Sequence, residues 1–100
     1  MSKEIYTIDQ IGSILNPVFR RHQVKKAVLF GSYVTGTATE TSDVDLMVDS
    51  GLKGLRFVGL VEDARNAVDK DIDMFDVTHI EKNSEIDTEI KHTGVVIYEK

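Results

Sequence analysis

Two aspartates set into an alternating apolar segment, Asp43-Val44-Asp45-Leu46-Met47-Val48, constrain this chain more than any other feature. Alternation with a period of two is the mark of a strand with one face turned to a core, and here Val44, Leu46 and Val48 share that face. Asp43, Asp45 and Met47 share the other. Aspartate is a poor strand former, so two in one strand require an explanation. Alternate strand residues lie roughly 6–7 Å apart, where two ionised carboxylates repel by about 2.5 kcal/mol at an effective dielectric near 20. A bridging cation removes that penalty. Standing alone, the pair would read as a solvated strand edge.

The surroundings argue against that reading. Twelve residues upstream of Asp43, Gly31-Ser32 ends the unbroken apolar run Ala27-Val28-Leu29-Phe30, which reads as a strand buried on both faces. A glycine lets backbone approach a phosphate, and N–H groups opening a helical turn point at an anion. Ser32 adds a hydroxyl donor. A third acidic cluster, Asp71-Ile72-Asp73-Met74-Phe75-Asp76, lies in another apolar stretch. Carboxylates without neighbouring His or Cys favour hard cations, magnesium or manganese, completed by substrate phosphates.

The rest of the chain supplies an ordinary frame. One hundred residues make one domain, residues 1–100, with room for one core. Thr7-Ile8-Asp9-Gln10 has the form of a capping box. It opens an amphipathic helix to about His22, which Pro17 is expected to kink or split. Arg20, Arg21, His22, Lys25 and Lys26 cluster at its end, suited to the helix dipole or to an acidic partner. The hydroxyl-rich stretch from Thr35 to Ser42 reads as a loop. A helix is expected from Leu52 to Val68, with Gly54 and Gly59 as weak points. A strand from about Ile72 to Val77 and a marginal helix from Lys82 to His92 follow, then Gly94 as its cap and a last strand, Val95-Val96-Ile97-Tyr98. The expected fold is α/β (α+β): a mixed, three- to four-stranded sheet with helices packed mainly on one face.

Charge and composition narrow the function. Twelve basic against seventeen acidic residues give a net charge of −5, which disfavours general duplex nucleic-acid binding. Cysteine is absent, which excludes disulfides, zinc-thiolate sites and a thiol nucleophile. No apolar leader or membrane-length run is present, so a cytoplasmic location is the expectation. His22, His79 and His92 share no ligand-like spacing. Tyr33 could stack on a base or pack under its turn, and Tyr98 reads as packing.

The segments Val28-Leu29-Phe30-Gly31-Ser32-Tyr33-Val34-Thr35-Gly36 and Ser42-Asp43-Val44-Asp45-Leu46-Met47-Val48 resemble the minimal nucleotidyltransferases (MNT) of the polymerase-beta-like superfamily. Ile72-Asp73-Met74-Phe75 and Gly94-Val95-Val96-Ile97-Tyr98 are similar too, so the likeness covers nearly the whole chain. It implies the palm of those enzymes and transfer of AMP, or another nucleotidyl group, from a triphosphate such as ATP to an acceptor hydroxyl. By position, Gly31 and Ser32 would hold the β- and γ-phosphates. Asp43 and Asp45 would ligate two magnesium ions, and Asp73 would be the third carboxylate and a general base, with Asp71 and Asp76 as competitors. Many relatives carry Ala-Arg where this chain has Val34-Thr35. Lys53, Arg56 and Arg65 are the candidate replacements for that lost charge.

The chain ends two residues after Tyr98, so the acceptor is expected on another polypeptide. Proteins it resembles are often paired with a small helical HEPN ribonuclease toxin, which the transferase silences by attaching AMP to a tyrosine. That implies an antitoxin in a toxin–antitoxin system and a hetero-oligomer. Two alternatives stand beside it: a non-catalytic module that neutralises a helical partner by binding, and the catalytic subunit of a two-component transferase acting on a small molecule or RNA.

Overall fold

Thr7 opens the first element with the expected capping box: its hydroxyl accepts from the Gln10 amide, and the Gln10 side chain accepts from the Thr7 amide. The resulting helix, α1, spans Ile8–Arg21. The computed structural model describes residues 3–100. Met1 and Ser2, the start of the stretch expected to lack an apolar leader, lie outside the described residues.

Of the two outcomes expected at Pro17, a kink or a split, the split does not occur: α1 continues through it. Proline removes the N–H that would reach the Ser13 carbonyl. Both Pro17 and Ser13 are exposed, so water can meet that carbonyl while Ile11, Leu15, Val18 and Phe19 hold the opposite face in the core.

Strand β1 (Lys26–Phe30) is buried along Ala27–Phe30, as its unbroken apolar run required. A four-residue helix, α2 (Ser32–Thr35), begins directly after Gly31. Strand β2 covers Val44–Asp49, helix α3 Leu55–Val68, strand β3 Ile72–Asp76, helix α4 Glu85–Thr93 and strand β4 Val95–Glu99. Helix α3 starts three residues later than the periodicity suggested, because Gly54 is its N-cap at φ 58° and not a weak point inside it. Helix α4 likewise starts at Glu85, where the Ser84 hydroxyl accepts from the Asp87 amide; a 3-10 turn at Val77–His79 fills part of the gap. Gly94 does follow α4, with extended backbone. Its lack of a side chain is needed for packing, since a Cβ there would collide with the Ile90 carbonyl and approach Val28 Cγ1.

The sheet order is β3-β2-β1-β4, and only the β2–β3 pair is parallel. One sheet face, carrying Ala27, Leu29, Val44, Leu46 and Val48, packs under α1 and α3, whose Leu15, Leu60 and Ala64 are fully buried. Truncating any of these leucines to alanine would cost about 2–5 kcal/mol. The Phe19 and Tyr98 rings meet at 5.4 Å, so Tyr98 is a packing residue. Part of the basic cluster at the end of α1 is absorbed internally: His22 Nε2 lies 2.7 Å and Arg21 3.5 Å from Asp63 on α3. The hydrogen bond with His22 holds the Asp63 carboxyl below the usual range. Among the described residues no helix is long and apolar enough to cross a membrane.

Candidate active site

The second sheet face carries the acidic residues, and strand register decides which of them meet. Asp45 stands opposite Phe30 on β1 and beside Asp73 on β3. Neighbouring strands run about 4.8 Å apart, so Asp45 and Asp73 are adjacent and project to the same side. Asp43 lies two residues before Asp45, just outside β2, and the ladder ends beside it with a bond from the Val44 amide to the Asp71 carbonyl.

Asp45 is half-buried, whereas Asp43 and Asp73 are exposed. Burial, and then the charges of Asp73, Asp43 and Glu89, push the Asp45 carboxyl up to about 6. Glu89 comes from α4, and nothing in its polar surroundings in the sequence marked it as a neighbour of this face.

Gly31 closes the site from the β1 side. It sits at φ 79° and ψ −152°, a conformation that essentially only glycine adopts. An added Cβ would run into the Asp45 carboxylate. The Gly31 and Ser32 carbonyls are engaged within the turn, accepting from Val34 and Thr35 and from Gly36 and Thr37 respectively. The Ser32 and Tyr33 amides, which open α2, have no acceptor within the helix. Tyr33 is buried beneath this turn in the hydrophobic core, so of its two readings packing is the observed one.

The competing aspartates go elsewhere. Asp76 pairs in register with Val48, on the face opposite to Asp45 and Asp73. It is buried at 3% exposure and accepts from the amides and hydroxyls of both Ser50 and Thr78. Burial alone would raise it, but those donors outweigh burial and hold its carboxyl below the usual range. Asp71 is exposed and paired with Arg65 at 3.5 Å. Arg65 also lies 3.9 Å from Glu62, while Lys53 and Arg56 follow the far end of β2 from Asp45.

Among the described residues, no group of three or more His, Cys, Asp or Glu side chains is close enough to hold a metal ion. Asp43, Asp45 and Asp73 therefore form an acidic row and not a closed cage. The chemistry of the row still suits a hard cation. It consists of oxygen donors only, its half-buried member is driven towards protonation by burial and then by its neighbours' charges, and a divalent ion would relieve that repulsion.

The profile of the polymerase beta nucleotidyltransferase family matches residues 13–100. The chain is 33% identical over 69 residues to the putative protein adenylyltransferase MJ0435 of Methanocaldococcus jannaschii, an overlap of 67% of this chain and 74% of that protein. Among solved structures, a toxin–antitoxin crystal structure with AMP-PNP superposes with a TM-score of 0.75 at 22% identity, covering 89% of this chain and 73% of that one. A tri-AMPylated Shewanella oneidensis HEPN toxin in complex with MNT antitoxin gives 0.70 at 17% identity, covering 94% and 74%. At these identities the likeness to the solved structures is one of fold.

Proposed function

The chain belongs to the polymerase beta nucleotidyltransferase family and is a nucleotidyltransferase; from that premise we propose that it moves AMP from ATP to a tyrosine of a HEPN-type toxin, as its antitoxin. The observation that carries the chemistry is the adjacency of Asp45 and Asp73 beside a glycine whose missing side chain leaves room for the Asp45 carboxylate. The choice of acceptor is supported by the adenylyltransferase relative and by the AMPylated toxin complex that shares this fold.

In this reading Asp43, Asp45 and Asp73 would hold the magnesium or manganese ions, together with the triphosphate. When bound, such ions lower the pKa of an acceptor hydroxyl and stabilise a leaving pyrophosphate. Gly31 and the Ser32 amide and hydroxyl cradle the β- and γ-phosphates and keep the triphosphate in line. The acceptor oxygen then forms a bond to the α-phosphorus as the bond to the β-phosphate bridge breaks. The hydroxyl proton passes to the Asp73 carboxylate.

Incubation with a HEPN protein, ATP and magnesium should add one AMP mass to a tyrosine, and Asp45→Asn should abolish the adduct without unfolding the chain. Undiminished transfer by Asp45→Asn would remove the carboxylate assignment. A second reading, neutralisation of the partner by binding alone, is favoured by Thr35, which stands where many proteins that the chain resembles carry arginine. Tight binding with the tyrosine left intact would select it.

A further inference from the structure

We propose that Lys70 is a positioning residue that sets the place of Asp43 by anchoring the loop in front of it. Lys70 follows the left-handed C-cap Asp69 of α3 and precedes β3 by two residues. The residue is only 3% exposed. A buried ammonium is costly unless it is paired with polar groups or an aromatic face. Its Nζ donates to the Glu40 carbonyl at 3.1 Å and lies 5.9 Å from the centre of the Tyr6 ring. Tyr6 is itself tied to the end of α3, its hydroxyl donating to the Val68 carbonyl at 2.9 Å.

The loop from Gly36 to Asp43 contributes no fully buried side chain. Its internal bonds are between small polar groups: Thr39 with Thr41, the Thr39 amide with the Ser42 hydroxyl, and the Ser42 amide with the Thr39 carbonyl. Such bonds shape a turn without fastening it to the body. Lys70 grips this turn at Glu40, three residues before Asp43, and the Asp71 carbonyl accepts from Val44, one residue after it. Consecutive residues 70 and 71 thus hold both flanks of Asp43, and two positions later the same segment presents Asp73. One short stretch carries one carboxylate of the row and locates another.

The proposal rests on the reading of Asp43 as a metal-holding group, and its test has a readout independent of activity. Hydrogen exchange is measured on the metal-free full chain. Lys70→Met keeps the apolar stem and removes the donor; it should speed exchange of the amides of residues 37–43 by about tenfold or more while Leu29 and Leu46 keep their protection. Manganese titration of the same variant should show affinity reduced by about tenfold, the usual scale for a lost outer-shell support. Lys70→Arg, which restores a cationic donor, should recover both. Wild-type loop exchange in Lys70→Met overturns the role. Loss of protection at Leu29 and Leu46 in both Lys70→Met and Lys70→Gln also overturns it, assigning Lys70 to the core. Failure of the wild-type chain to take up manganese would overturn the metal assignment instead, a result separate from the behaviour of the loop.

Discussion

Gly31 and the Asp45 carboxylate occupy adjoining space so tightly that a Cβ at position 31 would force the carboxylate to move. The backbone there is also in a region closed to L side chains. Gly31→Ala should therefore destabilise the chain by about 1–3 kcal/mol and displace Asp45 from its place beside Asp73. Urea unfolding reads the first effect, and adenylyl transfer, expected to be lost, reads the second. Full activity in a folded Gly31→Ala protein would detach the turn from the chemistry.

Asp45 gives the metal-free protein an unusual dependence on pH. Its folded carboxyl titrates at about 6 against an ordinary 3.8, because burial and then Asp73, Asp43 and Glu89 disfavour its charge. Between these values the folded chain binds more protons than the unfolded one, so this group's contribution to stability falls as pH rises from 3.8 to about 6. Above that window the penalty is constant. Asp45→Asn removes it, so in EDTA the variant should gain stability relative to wild type between pH 4 and pH 7, read from urea midpoints at about those two values. Added magnesium should favour wild type alone at the upper pH. A difference between the two proteins that does not change with pH would contradict this assignment.

Asp76 acts in the opposite sense. Its carboxyl is held below the ordinary 3.8, so its contribution is present above that value and is lost as pH falls through the lower folded one. Asp76→Ala leaves the donors of Ser50 and Thr78 without their acceptor and should cost about 2–5 kcal/mol by denaturant unfolding. At a denaturant concentration where the variant remains folded, its manganese affinity should match wild type, because the side chain lies on the other sheet face. A large loss of affinity in the folded variant would count Asp76 among the ligands.

The division between Asp73 and Asp76 shows what the sequence could and could not disclose. Both lie in one apolar run, and local patterning made each a plausible third carboxylate. Alternation along β3 puts them on opposite faces, but only the parallel register on β2 decides which of those faces Asp45 shares, and register is a contact between segments some thirty residues apart that no local period encodes. The alternation in β2, the buried run of β1 and the capping box of α1 were legible because each is a local pattern with a physical period. The Asp63 pairing with the end of α1, the approach of Glu89 to Asp45 and the grip of Lys70 on Glu40 were not legible. Each depends on how helices and loops settle on the finished sheet.

Pro17 offers a test of how tertiary packing overrides local propensity. An interior proline costs a helix about 3 kcal/mol, yet α1 passes through it unbroken. The defect faces water while the apolar stripe of α1 stays fixed in the core. Pro17→Ala would then restore a bond to the Ser13 carbonyl without altering any core contact. Part of that gain is offset, because alanine gives the unfolded chain more freedom than proline does. The net expectation is a stabilisation of about 1–2 kcal/mol in urea unfolding, with transfer activity unchanged because the residue lies outside the acidic row. A midpoint that stays level or falls would mean that the Ser13 carbonyl is already well satisfied, and that proline at this position costs the folded chain nothing.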